Sequence, residues 1–146
     1  VADNDPDRGI FSGNAFIDTD GVPTIMYHGV SVGNCIAKST DPMLEEWKKW
    51  EHNPIVPIPA EGTTEFGQYQ SWDPHGWVEG SNRYAIFGGA KPALMKGAAW
   101  NELKYVGPAI FNDQLTVQED DVSCPDFFSI DGRHAFVAIS HRAGVR

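Results

Sequence analysis

Basic residues are scarce in this chain: 11 Lys and Arg stand against 20 Asp and Glu, leaving a formal charge of −9 over 146 residues. A protein that grips a phosphate backbone carries a basic footprint, so no nucleic-acid partner is expected. Long apolar runs are missing as well. No stretch approaches the ~18 apolar residues of a membrane-spanning helix, and no membrane partner is expected. Cysteine is limited to Cys35 and Cys124. Two thiols cannot build a metal cluster by themselves, and sequence does not show whether they meet as a disulfide. Each reads first as a small buried apolar residue. No glycine-rich phosphate loop or zinc spacing stands out, so neither cofactor nor metal is called for. The first residues, Val-Ala-Asp-Asn-Asp, are not a signal peptide, and the compartment stays open.

What the chain does contain is punctuation. Fifteen Gly and ten Pro recur along its length, while 41% hydrophobic residues suffice for a core, so many short strands and turns are expected. Three hairpins can be read directly. Ala15-Phe16-Ile17 and Pro23–Gly29 flank a turn at Asp18-Thr19-Asp20-Gly21. Trp77–Phe87 turns near Gly80-Ser81-Asn82, and Phe127–Ile139 turns at Asp131-Gly132. Asp-Gly between apolar runs is a strong hairpin signal. Asp41 and Pro42 suit the cap and first position of one helical turn over Thr40–Trp47. The prolines of Pro54-Ile55-Val56-Pro57 confine that segment to an edge or a loop.

The hairpin turns recur at roughly 50–60 residues, and each unit reads as about four strands, the signature of propeller blades. The expected fold is all-β, part of a five-bladed β-propeller with about two and a half blades of four-stranded antiparallel sheet. Approximate blades are 10–70, 71–120 and an incomplete 121–146. An open antiparallel sandwich with look-alike hairpins is the alternative. The chain lacks a starting Met and stops within apparent strand material, so it reads as a piece of something longer.

One stretch concentrates chemistry: Ser71-Trp72-Asp73-Pro74-His75-Gly76-Trp77. Aromatic faces suit sugar C–H groups, and a carboxylate suits hydroxyls or developing positive charge. The plain alternative is an Asp-Pro turn with a Trp packed beneath it.

The residues before the three hairpins are Phe11-Ser12-Gly13-Asn14-Ala15, Trp72-Asp73-Pro74 and Ser123-Cys124-Pro125-Asp126-Phe127-Phe128. In that order and spacing they resemble the catalytic module of glycoside hydrolase family 32, whose relatives in families 43 and 68 are also five-bladed propellers acting on furanosides. The matching family stretches are Phe/Trp-Ser-Gly-Ser-Ala, Arg-Asp-Pro and Glu-Cys-Pro-Asp-Phe. The resemblance implies a β-fructosidase-like glycosidase whose substrate is an oligo- or polysaccharide containing furanose. Asp73 would bind ring hydroxyls and stabilise the oxocarbenium-like transition state, with Phe11, Ser12, Trp72, His75, Ser123 and Cys124 around the sugar. Its remaining partner would be the rest of its own propeller, and the isolated chain is expected to be inactive.

Three departures from the family pattern stand out. Trp72 occupies the arginine position, and a ring cannot replace five N–H donors. Ser123 occupies the acid/base glutamate position. Side chains two apart share a strand face, which makes Asp121 the candidate relocated proton donor; a solvated acidic turn over Glu119, Asp120 and Asp121 is the alternative. The family's nucleophile motif is not matched, because Asn4-Asp5-Pro6-Asp7 lies too close to Phe11 to take its place. A non-catalytic sugar-binding propeller is therefore the second functional reading. His75 and His141 read either as contacts to sugar or to a central ion, as the resemblance to family 43 implies, or as hydrogen-bonded wall residues, and Trp47, Trp50 and Trp100 as packing between blades.

Overall fold

Each of the three turn signals closes a hairpin, and the hairpins seed three separate antiparallel sheets. The computed structural model describes residues 5–109, 121–141 and 144–145. In the first sheet, β1 (Ile10–Ile17), β2 (Pro23–Gly29), β3 (Gly33–Ser39) and β4 (Trp47–Lys49) lie in that order, and β5 (Val56–Pro57) pairs with β3. The second holds β6 (Pro74–Glu79), β7 (Asn82–Phe87), β8 (Ala93–Gly97) and, after the short 3₁₀ turn Trp100–Glu102, β9 (Lys104–Pro108). The third holds β10 (Ser123–Ile130), β11 (Arg133–Ser140) and β12 (Gly144–Val145). The first strands β1, β6 and β10 contact one another across the sheets. This is the arrangement of successive blades in a β-propeller, with the first strand of each blade innermost.

The turns explain the registers. Asp131 and Gly132 both have positive φ, 48° and 72°, as a two-residue type I′ hairpin requires. Gly80, at φ 60°, opens the equivalent two-residue loop between Glu79 and Asn82.

One face of β1 joins the first two blades. The side-chain amide of Asn14 donates to Gly76 O at 2.8 Å and accepts from Gly76 N at 2.7 Å, so it acts as a strand partner where the two sheets separate. Phe16, two residues on, meets the Trp100 ring at 5.1 Å. A Cβ on Gly76 would lie 2.6 Å from Met26 Cε, so any larger residue there would have to displace the Met26 side chain. Met26, Ile36, Tyr69, Phe87, Met95 and Trp100 fill the core behind it. Trp100 Nε1 donates to Asp18 Oδ2 at 3.0 Å, and Lys38 Nζ reaches the same carboxylate at 2.7 Å. Burial raises the Asp18 pKa, but the hydrogen bonds from Lys38, Trp100 and the Thr19 N–H outweigh it and hold the carboxyl below its ordinary range.

Two local expectations are corrected. Residues 40–46 form turns and bends rather than a helical turn, and Trp47 already begins β4. Asp41 does satisfy backbone donors, from Met43 at 2.8 Å and Glu46 at 2.6 Å, but Leu44 at φ 61° leaves the helical region at once. Both cysteines are free, and only Cys35 is buried; Cys124 is exposed. Burial pushes the Cys35 thiol up to about 12. Glu119 and Asp120 of the predicted acidic turn lie outside the described residues.

Candidate active site

Irregular backbone marks the entry to all three inner strands. The β1–β2 register shifts between Ile10 and Gly13, which places Phe11 and Ser12 in a bulge. The β10–β11 register shifts between Ser123 and Asp126, which does the same for Cys124 and Pro125. Asp73, just ahead of β6, has φ 29°, and Cys124 has φ 46°. A non-glycine residue in this region costs on the order of 1–3 kcal/mol and persists only where its surroundings over-determine it. Bulges re-aim side chains, and here they aim them at one point.

That point is the Asp73 carboxylate. Cys124 N donates to Asp73 Oδ2 at 3.1 Å, and Cys124 Sγ lies 3.9 Å from the same oxygen. The thiol also donates to Ser12 Oγ at 3.3 Å. Thus Ser12 of the first blade, Asp73 of the second and Cys124 of the third touch, although the sequence separates them widely. Asp73 is only 8% exposed, so its charge sits in a partly desolvated cleft where electrostatic interactions are strengthened.

Two glycines hold this cluster, and sequence reasoning gave them no role. Gly88 N donates to Trp72 O at 3.0 Å and to Asp73 O at 3.3 Å, pinning the strained turn from behind. Gly89 exchanges two backbone hydrogen bonds with Val122, at 2.7 and 3.1 Å, and so ties the second blade to the lead-in of β10. A Cβ on Gly88 would stand 2.5 Å from Val122 O and 3.2 Å from Asp73 Cβ. The available signal was a Gly-Gly pair directly after an inner hairpin, which reads locally as an ordinary strand end.

The other candidates are placed as follows. Phe11 is 62% exposed, with its ring 6.2 Å from His28. Trp72, 38% exposed, lines a cavity beside Asp73. His75 is buried, with Nδ1 3.0 Å from Asp126 Oδ1 but out of line for a hydrogen bond. Burial lowers its pKa, and the attraction of Asp126 opposes that shift without reversing it. His75 therefore stands between the second and third blades, next to the Trp77–Phe127 ring contact at 4.9 Å. Ser123 is buried in register with Ile139. Asp121 precedes β10, so strand alternation does not extend to it. Its carboxylate lies 2.6 Å from His141 Nδ1 and accepts from His141 N at 3.3 Å. Asp5 and Asp7 clamp Lys49 of β4 in the first blade, at 2.7 and 2.6 Å.

Chemically, a fixed carboxylate beside a hydroxyl and a thiol can bind sugar hydroxyls and stabilise developing positive charge. A retaining hydrolysis needs a nucleophile and an acid/base carboxylate about 5 Å apart, and the Ser12–Asp73–Cys124 cluster does not itself contain such a pair.

Comparisons with known proteins bear on the family and the fold. The family model described as the glycosyl hydrolases family 32 N-terminal domain matches residues 1–144. An insoluble β-fructofuranosidase isoenzyme of Arabidopsis thaliana is 30% identical over 158 aligned residues, covering 93% of this chain and 27% of that protein. A fructan 6-exohydrolase of Triticum aestivum is 37% identical over 63 residues, 37% of this chain and 10% of that protein. The chain thus spans about a quarter or less of the relatives it matches. Among solved structures, a family 32 β-fructofuranosidase of Bombyx mori superposes with a TM-score of 0.67 at 19% identity, over 90% of this chain and 29% of that one. An α-L-arabinofuranosidase of Clostridium thermocellum superposes with a TM-score of 0.59 at 12% identity, over 88% and 41%. These two likenesses are to the fold.

Proposed function

The chain belongs to glycoside hydrolase family 32, and from that premise we propose that it is part of a β-fructosidase-like enzyme that hydrolyses or transfers furanosyl groups. The observation that carries this reading is the meeting of Ser12, Asp73 and Cys124 from three successive blades. In this reading Asp73 binds ring hydroxyls of the furanose and stabilises the oxocarbenium-like transition state. A fixed, partly buried carboxylate does this better for the transition state than for the ground state, which is what accelerates the reaction. Phe11 and Trp72 supply exposed aromatic faces, and Ser12 a hydroxyl. Asp121 is the proposed proton donor, held by His141. Apolar side chains left exposed on β1 (Ile10 and Ile17) and on the third sheet (Phe128, Ile130 and Ile139) support further blades packing on both sides.

The test is hydrolysis of sucrose, fructan and arabinan panels by the full-length parent. Asp73→Asn should lower kcat by about 10²–10³, the usual cost of a lost transition-state contact; full activity removes Asp73 from the chemistry. Asp121→Asn should lose activity on natural substrates but keep it on a furanoside with a leaving group that needs no protonation. An unimpaired Asp121 variant places the acid elsewhere.

The second reading, a sugar-binding propeller without catalysis, is motivated by Trp72 and Ser123 standing where the family has arginine and glutamate. It predicts furanoside binding that depends on Asp73, with no turnover by the parent.

A further inference from the structure

The bulge at the start of β10 presents a backbone donor to the Asp73 carboxylate, Cys124 N at 3.1 Å. Cys124 does so at φ 46°, a conformation that persists only where the surroundings over-determine it. The bulge must therefore be fixed at both of its ends. Upstream, Val122 exchanges two backbone hydrogen bonds with Gly89. Gln70 crowds that glycine from the other side, where an added Cβ would meet its Oε1 at 2.2 Å. Downstream, β10 resumes its register at Asp126, opposite Val137.

A second tie lies at that downstream end. His75 of β6 brings Nδ1 to 3.0 Å from Asp126 Oδ1, and its ring hydrogen-bonds the backbone of Phe127. One imidazole thus grips two consecutive residues of the third blade. Its side chain is 8% exposed against 64% for Asp126, so the contact runs from the buried seam between the blades out to its rim. Nδ1 has no hydrogen-bond partner among the described residues. A buried polar atom left without one is costly, and the Asp126 carboxylate is the group that answers it. Burial lowers the His75 pKa while the attraction of Asp126 opposes the shift, so the carboxylate acts on the ring although the two are out of line for a hydrogen bond. His75 follows Asp73 by two residues, as Asp126 follows Cys124. The His75–Asp126 contact is therefore the next one along the same two strands, and the Trp77–Phe127 rings at 4.9 Å continue the seam.

We infer that His75 and Asp126 are positioning residues of the furanosidase site: together they fix the downstream end of the β10 bulge and so hold the Cys124 N–H on the Asp73 carboxylate. The inference rests on the reading of Asp73 as transition-state stabiliser and adds to it the pair that keeps that carboxylate aimed. Both residues act through Asp73 and not on the sugar. Without them the bulge is tied at Val122 alone, and the contact that slackens is a hydrogen bond to a charged group, an effect of about ten-fold.

The test is Asp126→Ala, a change at an exposed side chain, made in two backgrounds of the full-length parent and assayed on whichever of sucrose, fructan or arabinan the parent cleaves. In the parent it should lower kcat about ten-fold with KM little changed. In Asp73→Asn it should lower kcat no further, because the group it acts through is already gone. His75→Gln should match Asp126→Ala, and the double variant should lose no more than either single one. Urea midpoints of the same samples show that each variant is folded. An unchanged kcat in Asp126→Ala, the same loss in both backgrounds, or additive losses in the double variant overturns the positioning role alone. Full activity in Asp73→Asn, or a parent that cleaves none of the three substrates, rejects the furanosidase reading and the inference with it.

Discussion

Gly88→Ala places one methyl group where the structure leaves no room for it. The added Cβ would sit 2.5 Å from the carbonyl oxygen of Val122, against 3.4 Å or more in ordinary contact. The oxygen must therefore retreat by roughly 1 Å to restore normal packing. It cannot do so freely, because Val122 O accepts from Gly89 N at 2.7 Å and Val122 N donates back at 3.1 Å. Overpacking costs about 1–3 kcal/mol, and a strained or lost hydrogen bond adds about 1 kcal/mol, for a total near 2–4 kcal/mol. Gly21→Ala is the matched control. Gly21 has φ 78° but nothing within 4 Å of the added atom, so it carries only the backbone penalty of about 1 kcal/mol. Urea unfolding reads both. With a slope near 2 kcal/mol/M, Gly88→Ala should lower the midpoint by about 1–2 M and Gly21→Ala by about 0.5 M. Gly88→Ala should also weaken sugar binding, since the same residue pins Asp73. Equal shifts in the two variants would refute the idea that the Gly88–Val122 approach holds the site.

Asn14→Ala should cost about 2–3 kcal/mol in the same unfolding measurement, because it strips both hydrogen bonds from Gly76 and leaves a buried N–H and C=O unpaired; a loss under about 0.5 kcal/mol contradicts the bridging role. His75 gives a pH dependence. Burial favours its neutral form, so its folded pKa lies below the unfolded value near 6.5. The stability this protects is complete above about pH 6.5 and is lost as the pH falls through that value toward the folded pKa. His75→Gln should flatten the slope of urea midpoints between about pH 7.5 and 5, and an unchanged slope assigns the effect to another group.

Much of the architecture is legible because turn chemistry is local. Asp131-Gly132 specifies its hairpin within two residues, and the same holds for Gly80. The convergence on Asp73 was legible through three short stretches, each of which introduces an inner strand. What escaped depends on contacts that no local pattern encodes. Gly88 and Gly89 matter because Val122, Trp72 and Gln70 come to them. Asn14 completes a strand edge in the next blade. Cys124 was expected to be buried, and the bulge at Cys124-Pro125 turns it outward to Ser12 and Asp73. Asp41 was read as a helix cap because it has the right donors to satisfy, and it satisfies them without a helix.

The central claim is that Asp73 faces the furanose, and a crystal structure of the full-length parent with fructose bound tests it most directly. The account predicts an Asp73 carboxylate oxygen at hydrogen-bond distance, about 2.6–3.2 Å, from a ring hydroxyl, with Ser12 and Cys124 at the same end of the cleft. A fructose seated elsewhere, with the Asp73 carboxylate bonded only to protein groups, would contradict it.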